Sequence, residues 1–386
     1  MFKVVFGLLF SFLDFFIPKV ENMVIFTGQR GLRYFDNSRY LYEYYRDNVP
    51  DAKVYWLSLS KEKYIGTDDR HIYTYSWQGL WIALRSKTAF ASYGCADFGM
   101  LRFSKSKIFV QLWHGAPLKT IFLGQRKLHL SVRLKNIYEL SRFSFFVVSS
   151  AVERLAVAQQ TGLPLDRVKI LGYPRNDILK TPDKHAIESV TRLRQGYSKV
   201  ILFAPTFREN GESPFSSISA AMWGGICSYL ERNNFLLIVR SHATEFLFNM
   251  NDAAKSLTAG YANIKFAAND VYPDVQELML ASDVLISDYS GIIFDYLLLE
   301  RPIVRFIYDE PAYEAERGLL YLADDVPIGT TVRSESELLQ AIDAALANGP
   351  VCENSKMLRN VFHSSRGRGA CKTIVDFVNQ QLGSHE

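Results

Sequence analysis

The chain has 386 residues, which is enough for two or three domains whose cores need neither disulfides nor metal ions to fold. Its composition of 48% hydrophobic and 22% charged residues excludes a disordered, collagen-like or coiled-coil protein, and its longest apolar run is too short for a polytopic membrane protein. The net charge of +4 conceals an imbalance: residues 1–180 carry 26 Lys and Arg against 14 Asp and Glu, so this half is expected to face an anionic partner.

Residues 1–19, MFKVVFGLLFSFLDFFIPK, form the first predicted element, an apolar helix that Asp14 interrupts and Pro18 ends. About 17 helical residues span ~25 Å, which is less than the ~30 Å hydrocarbon core of a bilayer. No small-residue cleavage site follows, so a cleaved signal peptide is not predicted. Three interpretations remain, namely an interfacial membrane anchor, a buried first helix and an uncleaved signal anchor, and we favour the first.

Short apolar strands then alternate with helical stretches, a pattern typical of βαβ units and a parallel sheet. Strands are predicted at 23–28, 53–59, 88–94, 108–113, 145–150 and 168–173, and in a second series at 199–207, 235–242, 263–267, 283–289 and 302–309. One helix is expected to run from Ser150 to a stop at Gly162. We predict an α/β chain with a Rossmann-like domain at 20–178 and a second at 179–386, after the apolar helix at 1–19.

The basic excess is densest at 101–142, which holds nine Lys and Arg and one acidic residue, Glu139. Within 119–142, Leu, Ile, Val and Phe alternate with the charges, as in a basic amphipathic helix on an anionic membrane surface. The alternative is an ordinary solvated helix face. Nucleic acid is not predicted as a partner, because no binding motif accompanies the charge.

Two other patterns exclude familiar sites. Thr27–Gly31 resembles a glycine-rich turn but lacks the GxGxxG spacing, so no dinucleotide site is predicted. The four cysteines have no CxxC spacing and predict neither a zinc ribbon nor a disulfide framework. We interpret them as reduced residues of a cytoplasmic protein.

In open parallel sheets, ligands bind at the carboxyl ends of the strands, and polar residues follow four of the predicted strands. After strand 108–113, His114 is followed by Gly115, which lets the backbone approach a ligand, and by Lys119, which can face an anion. A neutral imidazole at this place can take a proton from a hydroxyl. The competing interpretation is a hydrogen-bonded core histidine.

Two further strand ends carry cations. Arg240 and His242 end strand 235–242, where a cationic pair suits stabilisation of a phosphate or protonation of a leaving group. Thr206 and Arg208 end strand 199–207, which is a weaker signal in an equivalent place.

The fourth strand end combines small and acidic residues. Strand 283–289 ends at Ser287 and Asp288, and Ser290 and Gly291 open the next apolar helix. Ser290 is either an ordinary helix N-cap or part of a phosphate site at the helix N-terminus, and the spacing does not decide between them.

The segments WHGAPLK, GYPRND, APTFR, RSH and SDYSGIIFDYLLLERPI, in this order, resemble the CDP-glycerol glycerophosphotransferase family of wall teichoic acid synthesis. The segment YFDNSRYLYEYY at 34–45, with Asp36, Asn37 and Ser38, is similar to the family's opening motif. The resemblance covers roughly residues 20–325. It implies a GT-B architecture, with two Rossmann-like domains around a central cleft, and peripheral, monotopic attachment to the cytoplasmic face of the cell membrane.

The resemblance also implies a reaction, the transfer of a polyol phosphate from CDP-glycerol or CDP-ribitol to a hydroxyl of an undecaprenyl-linked acceptor. His114 would deprotonate the acceptor hydroxyl, and His242 would steady the donor pyrophosphate or its leaving group. Together with the other strand-end residues, the predicted substrate-binding set is Gly115, Lys119, Arg175, Asn176, Asp177, Thr206, Arg208, Arg240, Ser287, Asp288, Ser290 and Gly291.

Three departures from the family pattern leave the exact donor open. Ala116, Ala243 and Gly291 stand where the family usually has Thr, Pro and Ser. None of these departures removes a predicted catalytic group.

Attack of a hydroxyl on the phosphorus, with departure of CMP, chiefly needs positioning and charge stabilisation. No DxD-like carboxylate pair is present, so no obligatory cofactor is predicted, and loosely bound Mg²⁺ stays open. One rival is a GT-B glycosyltransferase that uses a nucleotide-sugar; another is a non-catalytic lipid- or polymer-binding protein, which leaves both strand-end histidines without a task. The chain holds little more than the region of resemblance, which favours a primase or short-chain enzyme slightly over a long-chain polymerase, and both alternatives stay open.

Overall fold

The computed structural model of the chain describes residues 2–61, 69–206, 208, 217–240, 260–267, 271–347, 353–364 and 369–383. The chain forms two compact units. Unit 1 contains Met1–Ala116, Ile121–Asp177 and Phe362–Glu386, and unit 2 contains Pro117–Thr120 and Ile178–Val361. Two segments therefore lie in the other unit from the domain to which the sequence assigned them, Pro117–Thr120 and Phe362–Glu386.

The strands of the described residues are β1 (Val20–Phe26), β2 (Lys53–Ser58), β3 (His71–Tyr73), β4 (Ser86–Ala91), β5 (Ile108–Gln111), β6 (Phe145–Val148), β7 (Val168–Ile170), β8 (Lys199–Phe203), β9 (Phe235–Val239), β10 (Ile264–Phe266), β11 (Val284–Ser287), β12 (Ile303–Phe306) and β13 (Thr330–Val332).

The α-helices are α1 (Phe2–Phe16), α2 (Asp36–Asn48), α3 (Trp77–Arg85), α4 (Leu130–Arg142), α5 (Ala151–Thr161), α6 (Asp177–Lys180), α7 (Lys184–Arg194), α8 (Ala220–Asn233), α9 (Gln276–Ala281), α10 (Ile292–Tyr296), α11 (Glu310–Arg317), α12 (Glu335–Ala347), α13 (Glu353–Phe362) and α14 (Ala370–Gly383). The ends of α5 are those predicted: the Ser150 side chain accepts from the N–H of Glu153, and Gly162 ends the helix in the left-handed conformation.

Unit 1 is built on a parallel sheet of seven strands in the order β3-β2-β1-β4-β5-β6-β7. Successive residues of each strand point to opposite faces, and both faces are apolar because helices cover both. One face carries Ile25 and Phe109 and packs against α1, α3, α4 and α5. The other carries Phe26 and Val110 and packs against α2 and α14.

Unit 2 is built on a second parallel sheet, in the order β10-β9-β8-β11-β12-β13. Its core contains Ile201, Val239 and Ile286 from the strands and Trp223 from α8. In both sheets the first strands of the chain are added one after another toward one edge. The chain then crosses back to the first strand, and the later strands are added toward the opposite edge. The resulting switch points, between β1 and β4 and between β8 and β11, are the places where sheets of this type bind ligands.

Helix α1 has one buried and one exposed face. Phe10 and Asp14 are buried against unit 1, whereas seven large apolar side chains of the helix are exposed: Val5, Leu8, Leu9, Phe12, Leu13, Phe15 and Phe16. The helix therefore combines two of the interpretations left open by the sequence, since it packs on the domain and also presents an apolar surface. Among the described residues, no helix is both long and apolar enough to span a bilayer.

The predicted basic helix is shorter than its sequence pattern. Of residues 119–142, only Leu130–Arg142 form the α-helix, and the segment Pro117–Thr120 belongs to unit 2. The helix has a short buried side at Leu140, and Leu130, Val132, Leu134, Ile137 and Tyr138 are exposed. The helical part of the predicted amphipathic surface is therefore confined to α4.

Candidate active site

The histidine of the WHG segment lies in a tight loop at the carboxyl end of β5. The strand ends at Gln111, and Trp113 adopts a left-handed conformation with φ 58°, so the predicted extension of the strand to residue 113 is wrong. The Trp113 side chain packs against Phe146 in the core, and this contact helps to hold the strained backbone. The turn leaves His114 half-buried at the edge of the sheet.

The imidazole of His114 is held by the loop that follows β4. Its Nδ1 lies 3.4 Å from the carbonyl oxygen of Ser92, and its ring stacks on Tyr93 with a centroid distance of 4.6 Å and an interplanar angle of 3°. Because a carbonyl oxygen can only accept, Nδ1 carries the hydrogen in this contact. The lone pair of the neutral ring is then on Nε2, as a general base requires.

Asn37, at the start of α2, joins two loops of the site. Its Nδ2 donates to the carbonyl of Trp113 at 2.8 Å, and its Oδ1 accepts from the N–H of Arg175 at 3.1 Å. The next residue, Ser38, places its hydroxyl 2.8 Å from that of Ser92. In the sequence these residues form a motif without an assigned role, and the signal that could have assigned one is the run of small polar residues at the start of the helix.

Arg175 is the residue of GYPRND that the structure brings to the His114 loop. Its Nη1 lies 3.0 Å from Oδ1 of Asp36, and both side chains are largely buried. The guanidinium also fills the space beside Gly115, where φ is 114° and any Cβ would collide with Nη2. The backbone conformation therefore requires glycine at 115, and a larger residue would also force the Arg175 guanidinium to move.

The two residues after Arg175 are also part of the GYPRND segment. Asn176 is buried. Both carboxylate oxygens of Asp177 accept backbone N–H groups at the start of α14, from Ala370 at 2.7 Å and from Cys371 at 2.8 Å. The structure thus gives Asp177, a predicted substrate ligand, the role of tying the C-terminal helix to unit 1.

In unit 2, Thr206, Arg208 and Asp288 lie together where β8 and β11 end. Arg208 Nη1 lies 2.9 Å from Oδ2 of Asp288, whose Oδ1 accepts the N–H of Thr206 at 2.8 Å. The same guanidinium donates to both oxygens of Asp309, at 2.8 and 3.1 Å. Although burial acts to lower it, the two carboxylates hold the pKa of Arg208 above its usual value. The guanidinium therefore organises this edge of the sheet as a fixed positive centre.

Aromatic rings surround this centre. The guanidinium carbon of Arg208 lies 4.8 Å from the ring centroid of Tyr313 and 5.3 Å from that of Tyr289. Lys119 Nζ lies 5.3 Å from the Tyr313 ring, and its backbone pairs with Leu319. Lys119, which the sequence predicts to face an anion, belongs to unit 2.

Of the remaining predicted residues of unit 2, two bond to backbone carbonyl groups and two lie at the start of a helix. Ser287 donates to the carbonyl of Ala204 at 2.7 Å, and Arg240 donates to the carbonyls of Tyr272 and Pro273 at 2.6 and 3.1 Å. Ser290 and Gly291 are half-buried at the start of α10. His242 lies outside the described residues, so its role stays a prediction. Within the described ranges, no group of three or more His, Cys, Asp or Glu side chains is arranged to hold a metal ion.

Two Rossmann-type units with polar residues at the carboxyl ends of their strands define an α/β fold of the GT-B class. The fold is similar to that in the "Structure of the Wall Teichoic Acid Polymerase TagF", with a TM-score of 0.81 and 21% identity over 100% of this chain and 97% of that one. This similarity confirms the predicted fold class. The family model "CDP-Glycerol:Poly(glycerophosphate) glycerophosphotransferase" matches residues 9–379, and the chain belongs to this family.

Relatives with known names include transferases of both polyol phosphates. The teichoic acid poly(glycerol phosphate) polymerase of Bacillus spizizenii is 25% identical over an alignment 350 residues long, which covers 84% of this chain and 84% of the polymerase. The teichoic acid ribitol-phosphate polymerase TarL of Staphylococcus aureus is 24% identical over 88% of this chain and 59% of its own length. The chain spans less than half of the longer poly(glycerol phosphate) polymerases of Bacillus subtilis and Staphylococcus epidermidis.

Proposed function

We propose that this protein transfers glycerol phosphate from CDP-glycerol to a hydroxyl of an undecaprenyl-linked acceptor, in the synthesis of teichoic acid or of a capsule of similar chemistry. Family membership supports the class of reaction. The observation that carries the assignment to this chain is the geometry of His114, half-buried at the sheet edge with Nδ1 against a carbonyl oxygen and Nε2 as the basic nitrogen. The acceptor oxygen bonds to the phosphorus that bears glycerol, the bond from that phosphorus to the bridging oxygen breaks, and CMP leaves with that oxygen. The hydroxyl proton passes to Nε2 of His114.

The donor is assigned to unit 2. Its switch point carries Thr206, Asp288 and Ser290, and Arg208 supplies a positive charge fixed by two carboxylates and three aromatic rings. Because Arg208 is already paired, we assign it to shaping the edge rather than to direct neutralisation of the pyrophosphate. That task falls to the predicted cation His242 and to the backbone N–H groups near Ser290.

The identity of the polyol and the reaction class are tested by offering the purified chain CDP-glycerol, CDP-ribitol and a panel of nucleotide-sugars, each with a defined lipid-linked acceptor. We expect acceptor-dependent release of CMP with CDP-glycerol and a slower release with CDP-ribitol. Faster turnover of CDP-ribitol would reassign the polyol. Turnover of a nucleotide-sugar alone would replace the proposal by a glycosyltransferase, and binding without turnover would favour a lipid- or polymer-binding protein. Addition of EDTA in a parallel reaction tests whether Mg²⁺ assists.

We further propose that unit 1 attaches the enzyme to the cytoplasmic face of the membrane, where a lipid-linked acceptor is available. Helices α1, α3 and α4 pack on the same face of the sheet, and together they carry fourteen of the twenty-two large apolar side chains that the described residues expose. Trp77 and Trp81 of α3 are 91% and 57% exposed, and tryptophan is favoured at membrane interfaces. The acidic residues of these helices turn inward: Asp14 is buried, and Glu139 accepts the N–H of Cys95. The outer surface is therefore apolar and basic, as an anionic bilayer requires.

Reversing the charge of Arg126, Lys127, Arg133 and Lys135 should weaken binding to anionic vesicles by at least tenfold, because each basic residue near such a surface contributes about 1 kcal/mol. The difference should shrink at high salt, where charges are screened. Sedimentation with phosphatidylglycerol vesicles measures the effect. A matched control reverses four exposed basic residues of unit 2, namely Lys180, Lys184, Arg192 and Arg232. Equal sedimentation of both variants would show that α4 is an ordinary solvated helix that does not bind the membrane.

A further inference from the structure

The loop that follows β4 contacts His114 twice. The Ser92 carbonyl lies against Nδ1 of the imidazole at 3.4 Å, and the Tyr93 ring lies parallel to it at 4.6 Å. The position of these two residues therefore decides where the imidazole lies and which of its nitrogens carries the hydrogen.

The buried carboxylate of Asp97 holds the part of this loop that contacts His114. Its Oδ2 accepts the backbone N–H of Tyr93 at 2.8 Å and that of Ser92 at 3.2 Å. Its Oδ1 accepts the N–H of Arg30 at 2.6 Å. Arg30 belongs to the Thr27–Gly31 turn, to which sequence analysis gave no role. Asp97 thus ties together the loops that follow β1 and β4, on either side of the switch point of the sheet.

The local structure around Asp97 is costly in two ways. Asp97 has no solvent exposure, and this burial raises the pKa of its carboxyl to about 7 although three N–H groups donate to it. Arg30 also has a left-handed backbone, with φ 56°. Buried ionisable groups and strained backbone concentrate where a site must be held in one geometry.

We propose that Asp97 is a positioning residue for His114: through the N–H groups of Ser92 and Tyr93 it holds the Ser92 carbonyl and the Tyr93 ring against the imidazole. The hydrogen is then kept on Nδ1, and Nε2 is the basic nitrogen. The inference rests on the proposed function only for the reaction that His114 catalyses. The state of the imidazole is a property of the protein alone and can be measured without any substrate.

The first test is Asp97→Asn, which replaces one of the accepting oxygens with an NH₂ group that cannot accept. We expect kcat for CMP release to fall about 10- to 100-fold, the effect of displacing a catalytic group by about 1 Å, with KM for the CDP donor changed by less than about twofold. Glu139→Gln is the matched control. It makes the same chemical change in another largely buried carboxylate, which accepts the N–H of Cys95 at 2.7 Å in the same loop. Its kcat should stay within about threefold of the parent.

The second test does not depend on activity. In ¹⁵N-histidine-labelled protein, with the His114 signals assigned by their loss in His114→Gln, the imidazole should be the Nδ1–H tautomer in the parent and in Glu139→Gln. In Asp97→Asn we expect a mixture of tautomers. If Asp97→Asn is too unstable to purify, Asp97→Glu, which keeps the charge but displaces the oxygens, carries the same expectation. A parental tautomer in the Asp97 variant overturns the proposal whatever the rate does. Failure of the parent to release CMP from any donor would overturn the reaction assignment instead.

Discussion

Replacing His114 with alanine should lower kcat for CMP release by about 10²–10⁴-fold, the usual contribution of a positioned general base. The contact of Nδ1 with the Ser92 carbonyl leaves Nε2 as the basic nitrogen, and no other imidazole of the described residues is placed on this loop. KM for the CDP donor should change little, because the donor is assigned to unit 2. Steady-state kinetics with a defined acceptor, together with the unfolding temperature of each variant, measure these effects.

His129→Ala is the control for this experiment. His129 is exposed and accepts the N–H of Ser131 at the start of α4, so its loss should leave kcat unchanged. A His114→Ala enzyme that unfolds at the parental temperature and keeps near-full kcat would show that the histidine is a framework residue. The proposed reaction would then need another base.

The fold was readable from the sequence because both sheets are parallel and buried on both faces. The runs VILF at 200–203 and FLLIV at 235–239 are continuously apolar, and the helices between such strands leave few alternatives to a Rossmann-type unit. The carboxyl ends of the strands were predicted too long. β5 ends at Gln111, not 113, because Trp113 turns into the left-handed region under the hydrogen bond from Asn37, which is 76 positions away in the chain.

In the site, too, the sequence predicted what depends on neighbouring residues and missed what depends on contacts between residues distant in the chain. The type and strand-end position of His114, Thr206 and Asp288 are local signals, and these residues do lie at the sheet edges. The contacts of Asp177 and Lys119 are not local, since Asp177 meets α14 almost 200 positions later and Lys119 pairs with Leu319. Asp97 carried no motif at all, because its three partners are backbone N–H groups, which any sequence supplies.

The N-terminal helix shows how one residue changes the meaning of an apolar segment. Asp14 interrupted the apolar run in the sequence, and the structure places its carboxylate inside unit 1. Its Oδ1 lies 2.9 Å from Nζ of Lys19 and 3.6 Å from Nζ of Lys107, and its Oδ2 accepts from the N–H and hydroxyl of Ser104 at 2.7 and 2.8 Å. Deleting residues 1–17 would therefore damage the domain as well as remove an apolar surface, and it is not a clean test of membrane binding.

Asp14→Ala should lower the free energy of unfolding by about 3–5 kcal/mol, because removal of one partner leaves buried charges uncompensated. Urea denaturation of the full chain measures the effect. Asp47→Ala, which breaks the exposed pair with Arg46, is the control and should cost less than about 1 kcal/mol. Equal losses in the two variants would contradict a structural role for the buried cluster.

The pH dependence separates the charge effect from simple loss of packing. Burial lowers the pKa of Lys107 to about 7, although Asp14 acts to raise it. The unfolded chain therefore binds more protons than the folded one above pH 7, and the contribution of Lys107 to stability rises with pH between 7 and about 10.5. Without Asp14, Lys107 in the folded chain loses its counter-charge, and its pKa falls further. The rise in stability with pH should therefore begin at a lower pH and be larger in Asp14→Ala than in the parent. The difference in free energy of unfolding between the parent and Asp14→Ala should consequently narrow from pH 6 to pH 9. Adding Lys107→Met to the Asp14→Ala variant should recover part of this difference at pH 6. A difference that is constant with pH would mean that α1 is held by its apolar contacts, such as those of Phe10, and not by the buried ion cluster.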